Sequence, residues 1–209
     1  ARRLKLATAA PSYDEIEPEE PRVLIAGFGR FGQIVGRVLR ARRIRFTALE
    51  VSQAQVDFVR RFGNKLYYGD ATRLDLLRSA GAEQAKLLVL AIDDVEASVR
   101  TAEVARRHFP QLRILARARN RQHAFRLMEA GVTEIWRETF ASSLEVAEAA
   151  LVALGTTREA AGSQVRRFRA HDESTLQAQA AVHDDETKLI ATAKASAAQL
   201  ESLFEADAR

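Results

Sequence analysis

The stretch VLIAGFGRFG, residues 23–32, decides the fold class of this chain. Its four aliphatic residues predict a short buried strand, and a G-x-G-x-x-G pattern follows at once. Gly27 permits a tight turn, Gly29 lets the backbone approach a phosphate, and Gly32 lets a helix lie against the strand. The helix that opens at Arg30 directs free N–H groups at an anion. The stretch therefore predicts a phosphate-binding turn between a strand and a helix.

A carboxylate stands where this motif needs its second contact. Glu50 stands at the end of the second predicted strand, directly after residues 46–49 and roughly 20 residues beyond the glycines. At that position a carboxylate accepts hydrogen bonds from both ribose hydroxyls and repels a 2′-phosphate. The combination predicts a site for AMP or NAD(H) rather than NADP(H). The alternative is a glycine turn that holds no ligand.

From Arg22 onward, short aliphatic runs alternate with longer helical stretches. This alternation is typical of βα units on a parallel sheet. Gly63, Gly81, Pro110 and Gly131 stand where the intervening helices should end. The predicted fold is α/β, a Rossmann-like doubly wound parallel sheet followed by a C-terminal helical arm. Its six predicted strands are residues 23–26, 46–49, 66–68, 87–91, 114–116 and 133–136.

Polar residues follow the third and fourth predicted strands, at the edge of the sheet where open α/β folds bind ligands. Either segment could line the nucleotide. Asp70 and Asp94 could instead cap the helices that follow, and we favour that role for Asp94. The candidate nucleotide-binding residues are accordingly Gly27, Gly29, Arg30, Phe31, Gly32, Glu50, Asp70, Ala71, Thr72 and Asp93.

The chain divides into four predicted segments. Residues 1–21 combine prolines with several carboxylates, a composition that cannot bury apolar surface, and we interpret them as a solvated acidic linker. Residues 22–138 form the nucleotide-binding domain. A dimerisation or crossover helix follows at residues 139–155, and residues 156–209 form the C-terminal helical arm.

An apolar stripe on the helix of residues 139–155 predicts a homodimer, because one sheet cannot cover it fully. Two further helices are expected in the arm, at about residues 159–170 and 185–206. Both are too polar to be deeply buried alone, so we expect them to pack on a partner. The residues of the stripe are Phe140, Leu144, Ala147, Leu151 and Leu154.

Composition argues against several functions. The 32 basic and 28 acidic residues are interspersed and leave a net charge of +4, so nucleic-acid binding is not expected. Without cysteine the chain has no thiolate metal site or cysteine nucleophile. The four histidines are scattered and read as surface residues, which disfavours a metal or catalytic cluster. No apolar run reaches the roughly 20 residues that a membrane-spanning helix needs.

Four motifs, in order and at matching spacing, resemble the KTN domain, also called RCK, of Kef-type potassium efflux antiporters. They are GFGRFGQ (27–33), YGDATR (68–73), AIDD (91–94) and ARAR (116–119). The resemblance implies the cytoplasmic regulatory domain of a bacterial inner-membrane protein, excised from a longer chain. Such domains dimerise, bind an adenine nucleotide, catalyse no reaction and gate K⁺/H⁺ efflux through glutathione or its adducts.

The same resemblance implies four effector-binding residues. Arg37 and Arg137 match arginines that contact glutathione, and Phe62 matches a phenylalanine that senses bulky adducts. Arg169 stands where the family pattern has an asparagine that also contacts glutathione. Guanidinium groups are forked donors that suit carboxylates, and pairing of Arg37 and Arg137 with the protein's own carboxylates is the alternative.

Two other functions are alternatives to this prediction. A peripheral regulatory subunit of a potassium uptake system has the same type of domain, but normally as repeated modules. An NAD-dependent oxidoreductase would need a substrate domain and a proton-transfer group facing the nicotinamide, and the sequence offers neither. The expected partners are a second copy and the antiporter domain of the parent chain, with an auxiliary oxidoreductase subunit as a third candidate.

Overall fold

The computed structural model describes Asp14, residues 22–61 and residues 66–207, with side chains as far as residue 202. The chain forms two compact units, Ala1–Leu115 and Ala116–Arg209. Within the described residues, no helix is both long enough and apolar enough to cross a membrane.

Six parallel strands form one sheet in the order β3-β2-β1-β4-β5-β6. This order confirms the predicted Rossmann-like fold, in which two halves are wound outward from β1 and β4. The junction between β1 and β4 opens a crevice at the carboxyl ends of the strands. The strands are β1 Val23–Ala26, β2 Phe46–Glu50, β3 Tyr67–Tyr68, β4 Leu87–Leu90, β5 Arg113–Ala118 and β6 Glu134–Arg137.

The first unit places its core on both faces of β1. All four residues of β1 are buried, as a central parallel strand requires. Phe28, Val56 and Val59 extend this core, and Phe31 packs against it. The helices of this unit are α1 Arg30–Ala41, α2 Gln53–Arg60, α3 Leu74–Ser79 and α4 Val95–His108.

Side chains cap several helices, as the local sequence predicts. Ser52 accepts a hydrogen bond from the Gln55 N–H at the start of α2. Asp94 accepts one from the Ala97 N–H at the start of α4, which confirms the expected cap. By contrast, the N-cap residue of α1 is Gly29, which has no side chain that could cap the helix.

The second unit contains the helical arm, and here one prediction was wrong. The helix expected at about residues 159–170 continues to Ala180 as a single 23-residue helix. Although its sequence is mostly polar, the helix contains small and apolar residues that are buried, among them Ala161 and Leu176. No glycine or proline interrupts residues 171–180, so nothing ends the helix earlier. The helices are α5 Arg121–Glu129, α6 Phe140–Ala153, α7 Arg158–Ala180 and α8 Glu186–Asp207.

Candidate functional site

A crevice of about 210 Å³ lies at the carboxyl ends of β1, β2 and β4 in the first unit. The segments that follow β1, β2, β3 and β4 all meet there, as the fold requires of its ligand-binding edge. They bring together residues that are up to 70 positions apart in the sequence. Of the ten candidate nucleotide-binding residues, six line this crevice: Gly27, Gly29, Glu50, Asp70, Ala71 and Asp93.

The three motif glycines have different surroundings. Gly27 has a φ of +87°, and a Cβ there would lie 2.7 Å from the backbone of Ala91. A Cβ at Gly32 would lie 2.3 Å from the Gly27 carbonyl oxygen, so this glycine serves the packing of α1. At Gly29 the nearest atom to an added Cβ is a carboxylate oxygen of Asp93, 3.8 Å away. Gly29 is therefore the glycine whose missing side chain leaves room in the crevice.

The other four candidate residues do not line the crevice. Arg30 is the first residue of α1, where its backbone rather than its side chain belongs to the glycine turn. Phe31 and Gly32 face the packing between α1 and the sheet. The Thr72 N–H donates to the carboxylate of Asp70 at 2.9 Å. That hydrogen bond makes Asp70 a turn-stabilising residue at the edge of the crevice.

Glu50 is fixed beside the glycine turn by two backbone donors. Its Oε2 accepts a hydrogen bond from the Phe28 N–H at 2.8 Å, and its Oε1 accepts one from the Ser52 N–H at 3.0 Å. The sequence pattern did not predict these bonds. Each carboxylate oxygen has a further lone pair, so Glu50 can still accept hydrogen bonds from two hydroxyl groups. The two N–H groups orient the carboxylate for that role before any ligand arrives.

The crevice is acidic. Of the described residues that line it, Glu50, Asp70, Asp93 and Asp94 carry carboxylates and none is a lysine or an arginine. A bound phosphate would thus depend on the backbone N–H groups at the start of α1. Carboxylates repel every additional phosphate charge. The electrostatics favour a nucleotide with few phosphates and no 2′-phosphate.

A second cavity, of about 440 Å³, lies in the second unit and contains two of the four candidate effector residues. Arg137 and Arg169 both line it, together with Phe140, Trp136 and Glu173. The guanidinium carbon of Arg137 lies 3.7 Å from the centroid of the Phe140 ring, and that of Arg169 lies 5.7 Å from it. Both cations are therefore held at one aromatic ring.

Arg137 forms an ion pair with a carboxylate of the protein. Its Nη2 donates to one carboxylate oxygen of Asp172, and the other oxygen accepts from Arg121 Nη1 at 2.7 Å. The side chains of Arg137 and Asp172 are only 12% and 15% exposed. Arg137 therefore pairs with a carboxylate of the protein itself, as the ion-pair alternative describes, and Asp172 shares its single negative charge with Arg121. Asp172 escaped prediction because it follows the point at which α7 was expected to end.

The two remaining effector candidates are Arg37 and Phe62. Arg37 is exposed on α1 of the first unit. Ile34 and Val38, beside it on the same helix, are 63% and 61% exposed. Phe62 lies outside the described residues.

Three histidines differ from the expectation that all four lie on the surface. His123 is 1% exposed, and its Nδ1 accepts a hydrogen bond from the Arg119 N–H. His171 is half-buried, with Nε2 2.8 Å from the hydroxyl oxygen of Ser196. His183 stacks on Phe125 and places Nε2 3.0 Å from a carboxylate oxygen of Glu129. All three act as structural residues of the second unit, which the scattered spacing of histidines in the sequence did not reveal.

Comparison with known proteins agrees with these features. The family model of the TrkA-N domain matches residues 23–138, and that of the potassium efflux system KefB C-terminal domain matches residues 142–209. The Kef C-terminal domain of Shewanella denitrificans, solved in an AMP-bound form, is 44% identical, with a TM-score of 0.70. The match covers 77% of this chain and 98% of that one. The chain belongs to the Kef C-terminal domains.

More distant structures share the nucleotide-binding part of this Kef C-terminal domain. The TrkA-N domain of the Escherichia coli inner membrane protein YbaL is 28% identical, with a TM-score of 0.54, over 64% of this chain and 96% of that one. The RCK domain of GsuK is 25% identical, with a TM-score of 0.50, over 57% of this chain and 25% of that one. Together these matches confirm the predicted KTN/RCK family and identify a regulatory domain of a potassium efflux system.

Proposed function

We propose that this Kef C-terminal domain binds AMP or NAD(H) in the crevice of its first unit and thereby regulates a K⁺/H⁺ antiporter domain of the same parent chain. The domain itself catalyses no reaction. In this proposal it is the cytoplasmic part of a bacterial inner-membrane protein, and an auxiliary oxidoreductase subunit is a further possible partner. The observation that carries the proposal is the Glu50 carboxylate, oriented by the Phe28 and Ser52 N–H groups beside the open position at Gly29.

The choice of nucleotide rests on charge. A single phosphate can be stabilised by the backbone N–H groups at the start of α1, whose macrodipole favours an anion. A 2′-phosphate on the ribose would instead meet Glu50, whose two oxygens are held in place. The AMP bound by the Shewanella domain is a ligand of this kind. We therefore place AMP and NAD(H) above NADP(H) for this chain.

Calorimetric titration tests the nucleotide and the role of Glu50 together. AMP and NAD(H) should bind, and NADP(H) should bind at least tenfold more weakly. Glu50→Ala should weaken AMP binding by about 10- to 100-fold, because hydrogen bonds to a charged group contribute about 1.5–3 kcal/mol. It should also abolish the preference against NADP(H). Asp57→Asn removes an exposed carboxylate on α2 and is the matched control.

The outcomes separate two claims. Equal binding of AMP and NADP(H) to the unchanged protein would contradict the assignment of Glu50. Absence of binding by any adenine nucleotide would contradict the proposed function itself. If the control Asp57→Asn lost affinity as Glu50→Ala does, a general effect of charge would replace the specific contact.

For the effector, we place glutathione or a glutathione adduct at the arginines, with Arg137 and Arg169 holding carboxylates. Arg169 is exposed and forms no ion pair with a described carboxylate, so its charge is available to a ligand. Arg137 keeps further N–H donors beside the one that Asp172 accepts. Arg37 and Phe62 belong to the same proposal, on the strength of the family resemblance.

Titrating glutathione and an N-ethylsuccinimido adduct into the domain tests this assignment. Binding should weaken in Arg37→Ala and in Arg169→Ala, whereas Arg166→Ala, an exposed arginine on α7, should bind normally. Gain of binding only in Arg169→Asn would mean that the arginine blocks the site. Equal affinities in all variants would remove these arginines from the effector site.

We also assign the homodimer to an apolar groove between α6 and α7. This groove of about 620 Å³ is lined by Phe140, Leu144, Ala147 and Leu151 of the predicted stripe. Leu144 is already buried by its own chain, whereas Leu154 at the end of the stripe is 85% exposed. Apolar surface of this kind favours a second copy as its cover.

Light scattering after gel filtration measures the assembly directly. The mass should be twice the 23.2 kDa of the chain at micromolar concentration. Leu151→Glu should shift it toward the monomer, and Glu145→Gln, on the same helix, should not. A monomer in the unchanged protein would contradict the assignment.

A further inference from the structure

The open edge of β3 has a partner from a distant part of the chain. Tyr68 is paired in register with Glu50 of β2, and the next residue, Gly69, donates its N–H to the Glu50 carbonyl at 2.9 Å. Because backbone groups of successive residues in a strand point to opposite sides, the N–H and C=O of Tyr68 point away from β2. Outward-facing backbone groups make an edge strand a docking site for further chain.

Asp14 takes up both of these outward groups. Its N–H donates to the Tyr68 carbonyl at 3.0 Å, and its carboxylate accepts a hydrogen bond from the Tyr68 N–H. Arg60 of α2 donates to the same carboxylate oxygen at 2.6 Å. Arg60 also donates from Nε to the Leu66 carbonyl at 2.9 Å, which holds its guanidinium beside the strand. The edge of β3 and Arg60 thus form a site that fits one acidic residue, the linker dock.

The linker dock adjoins the proposed nucleotide crevice. Tyr68 is followed directly by Gly69, Asp70 and Ala71, all of which line the crevice. On its other side, Tyr68 is the register partner of Glu50. Tyr68 therefore lies between Asp14 and the residues that a nucleotide would contact.

We propose that the linker dock is a specific binding site for Asp14 of the predicted linker, and that nucleotide binding in the crevice strengthens this docking. The coupling rests on the proposed nucleotide function. In the parent protein the docked linker would then report the state of the crevice. This corrects the interpretation of the segment as a purely solvated tether, at least at Asp14, whose side chain is 29% exposed.

The length of β3 explains why the two events should be coupled. The strand has only two residues, so few ladder hydrogen bonds hold it in place. A nucleotide at Glu50 and Asp70 would order both the neighbouring strand and the loop that leaves β3. Asp14 would then bind a Tyr68 that is already fixed, at a smaller loss of conformational entropy. By linkage, docking of Asp14 must raise nucleotide affinity by the same factor.

A simpler role for Asp14 is to cover the edge of the sheet without any coupling. In that case the bonds to Tyr68 would protect the strand equally with and without nucleotide. The two roles differ in one measurable quantity, the AMP affinity of a variant that cannot dock.

The experiment combines calorimetry with amide hydrogen exchange on the whole 209-residue chain. Asp14→Ala and Arg60→Ala should each weaken AMP binding about fivefold, the lower end of typical coupling between sites. Because both act through one contact, the double variant should lose no more than either alone. Asp57→Ala, on the same helix as Arg60, is the control and should bind AMP normally. In the unchanged protein, AMP should slow exchange of the Tyr68 amide, and Asp14→Ala should reduce that effect.

Each result decides one claim. Faster Tyr68 exchange in Asp14→Ala with unchanged AMP affinity overturns the coupling and leaves edge cover alone. Unchanged Tyr68 exchange in Asp14→Ala overturns the docking itself. Failure of AMP to bind the unchanged protein overturns the proposed nucleotide function, and the coupling with it, whereas Tyr68 exchange in the free protein still decides the docking. Asp14→Asn, which keeps an acceptor oxygen, should lie between the two extremes and guards against a folding defect.

Discussion

Two alanine substitutions in the glycine motif should have opposite consequences. In Gly32→Ala the new Cβ would lie 2.3 Å from the Gly27 carbonyl oxygen, whereas real Cβ atoms stay beyond about 3.0 Å, so α1 must move by roughly 0.7 Å. Overpacking of this kind costs about 1–3 kcal/mol. In a chain of this length that cost lowers the melting temperature by roughly 2–12 °C.

Gly29→Ala should fold normally and lose its ligand. Its φ of −72° suits alanine, and the nearest atom to the new Cβ is 3.8 Å away. Alanine lowers the conformational entropy of the unfolded chain, which stabilises the fold, but it is a poorer N-cap residue than glycine, which destabilises it. The free energy of unfolding should therefore stay within about 1 kcal/mol of that of the unchanged protein. The added methyl group would nevertheless stand where a phosphate must approach the backbone. AMP affinity should therefore fall at least tenfold, about 1.4 kcal/mol.

Thermal unfolding followed by circular dichroism and calorimetric titration with AMP separate these effects. Gly29→Ala should keep the melting temperature and lose AMP affinity, and Gly32→Ala should lose melting temperature. If Gly29→Ala bound AMP as tightly as the unchanged protein, the phosphate would not lie against this turn. If Gly32→Ala were fully stable, the packing argument for the third glycine would be refuted.

Three further predictions concern the second unit. Arg117→Ala should destabilise the fold by about 3 kcal/mol in urea unfolding, because it removes a buried guanidinium group together with its ion pair to Glu138. Asp172→Asn should strengthen glutathione binding in the same titration used above, since it weakens the ion pair that occupies Arg137. The pKa of Asp185 should lie below its ordinary 3.8 in an NMR titration, because the backbone N–H and then the ammonium group of the lysine three residues on stabilise its carboxylate. That contribution is present above pH 4 and is lost as the pH falls through the lowered pKa.

Each of these predictions has a result that would contradict it. A loss below about 1 kcal/mol in Arg117→Ala would mean that its ion pair with Glu138 contributes little to stability. Weaker glutathione binding in Asp172→Asn would show that Asp172 positions Arg137 for the ligand rather than competing with it. An Asp185 carboxyl group that titrates at or above 3.8 would remove its stabilising role at the start of α8.

The sequence determined the sheet and most of the nucleotide crevice. Short aliphatic runs identify β1 and β4 because a central parallel strand is buried on both faces. The glycine spacing and Glu50 identify the crevice because the turn needs those backbone conformations and the strand order fixes where the carboxylate arrives. Asp94 could be assigned as a helix cap for the same local reason. Information of this kind lies within a few residues or within one βα unit.

Only the tertiary structure decided which charges meet. Asp172 and Arg137 are 35 residues apart, and Asp14 and Tyr68 are 54 apart. No local pattern marks either pair, since an acidic residue in a polar helix or linker has the same signal whether it is solvated or bound. Their partners depend on how far α7 extends and on which backbone groups the sheet leaves open at its edge. Those features arise from packing and strand order, which a reading of neighbouring residues cannot supply.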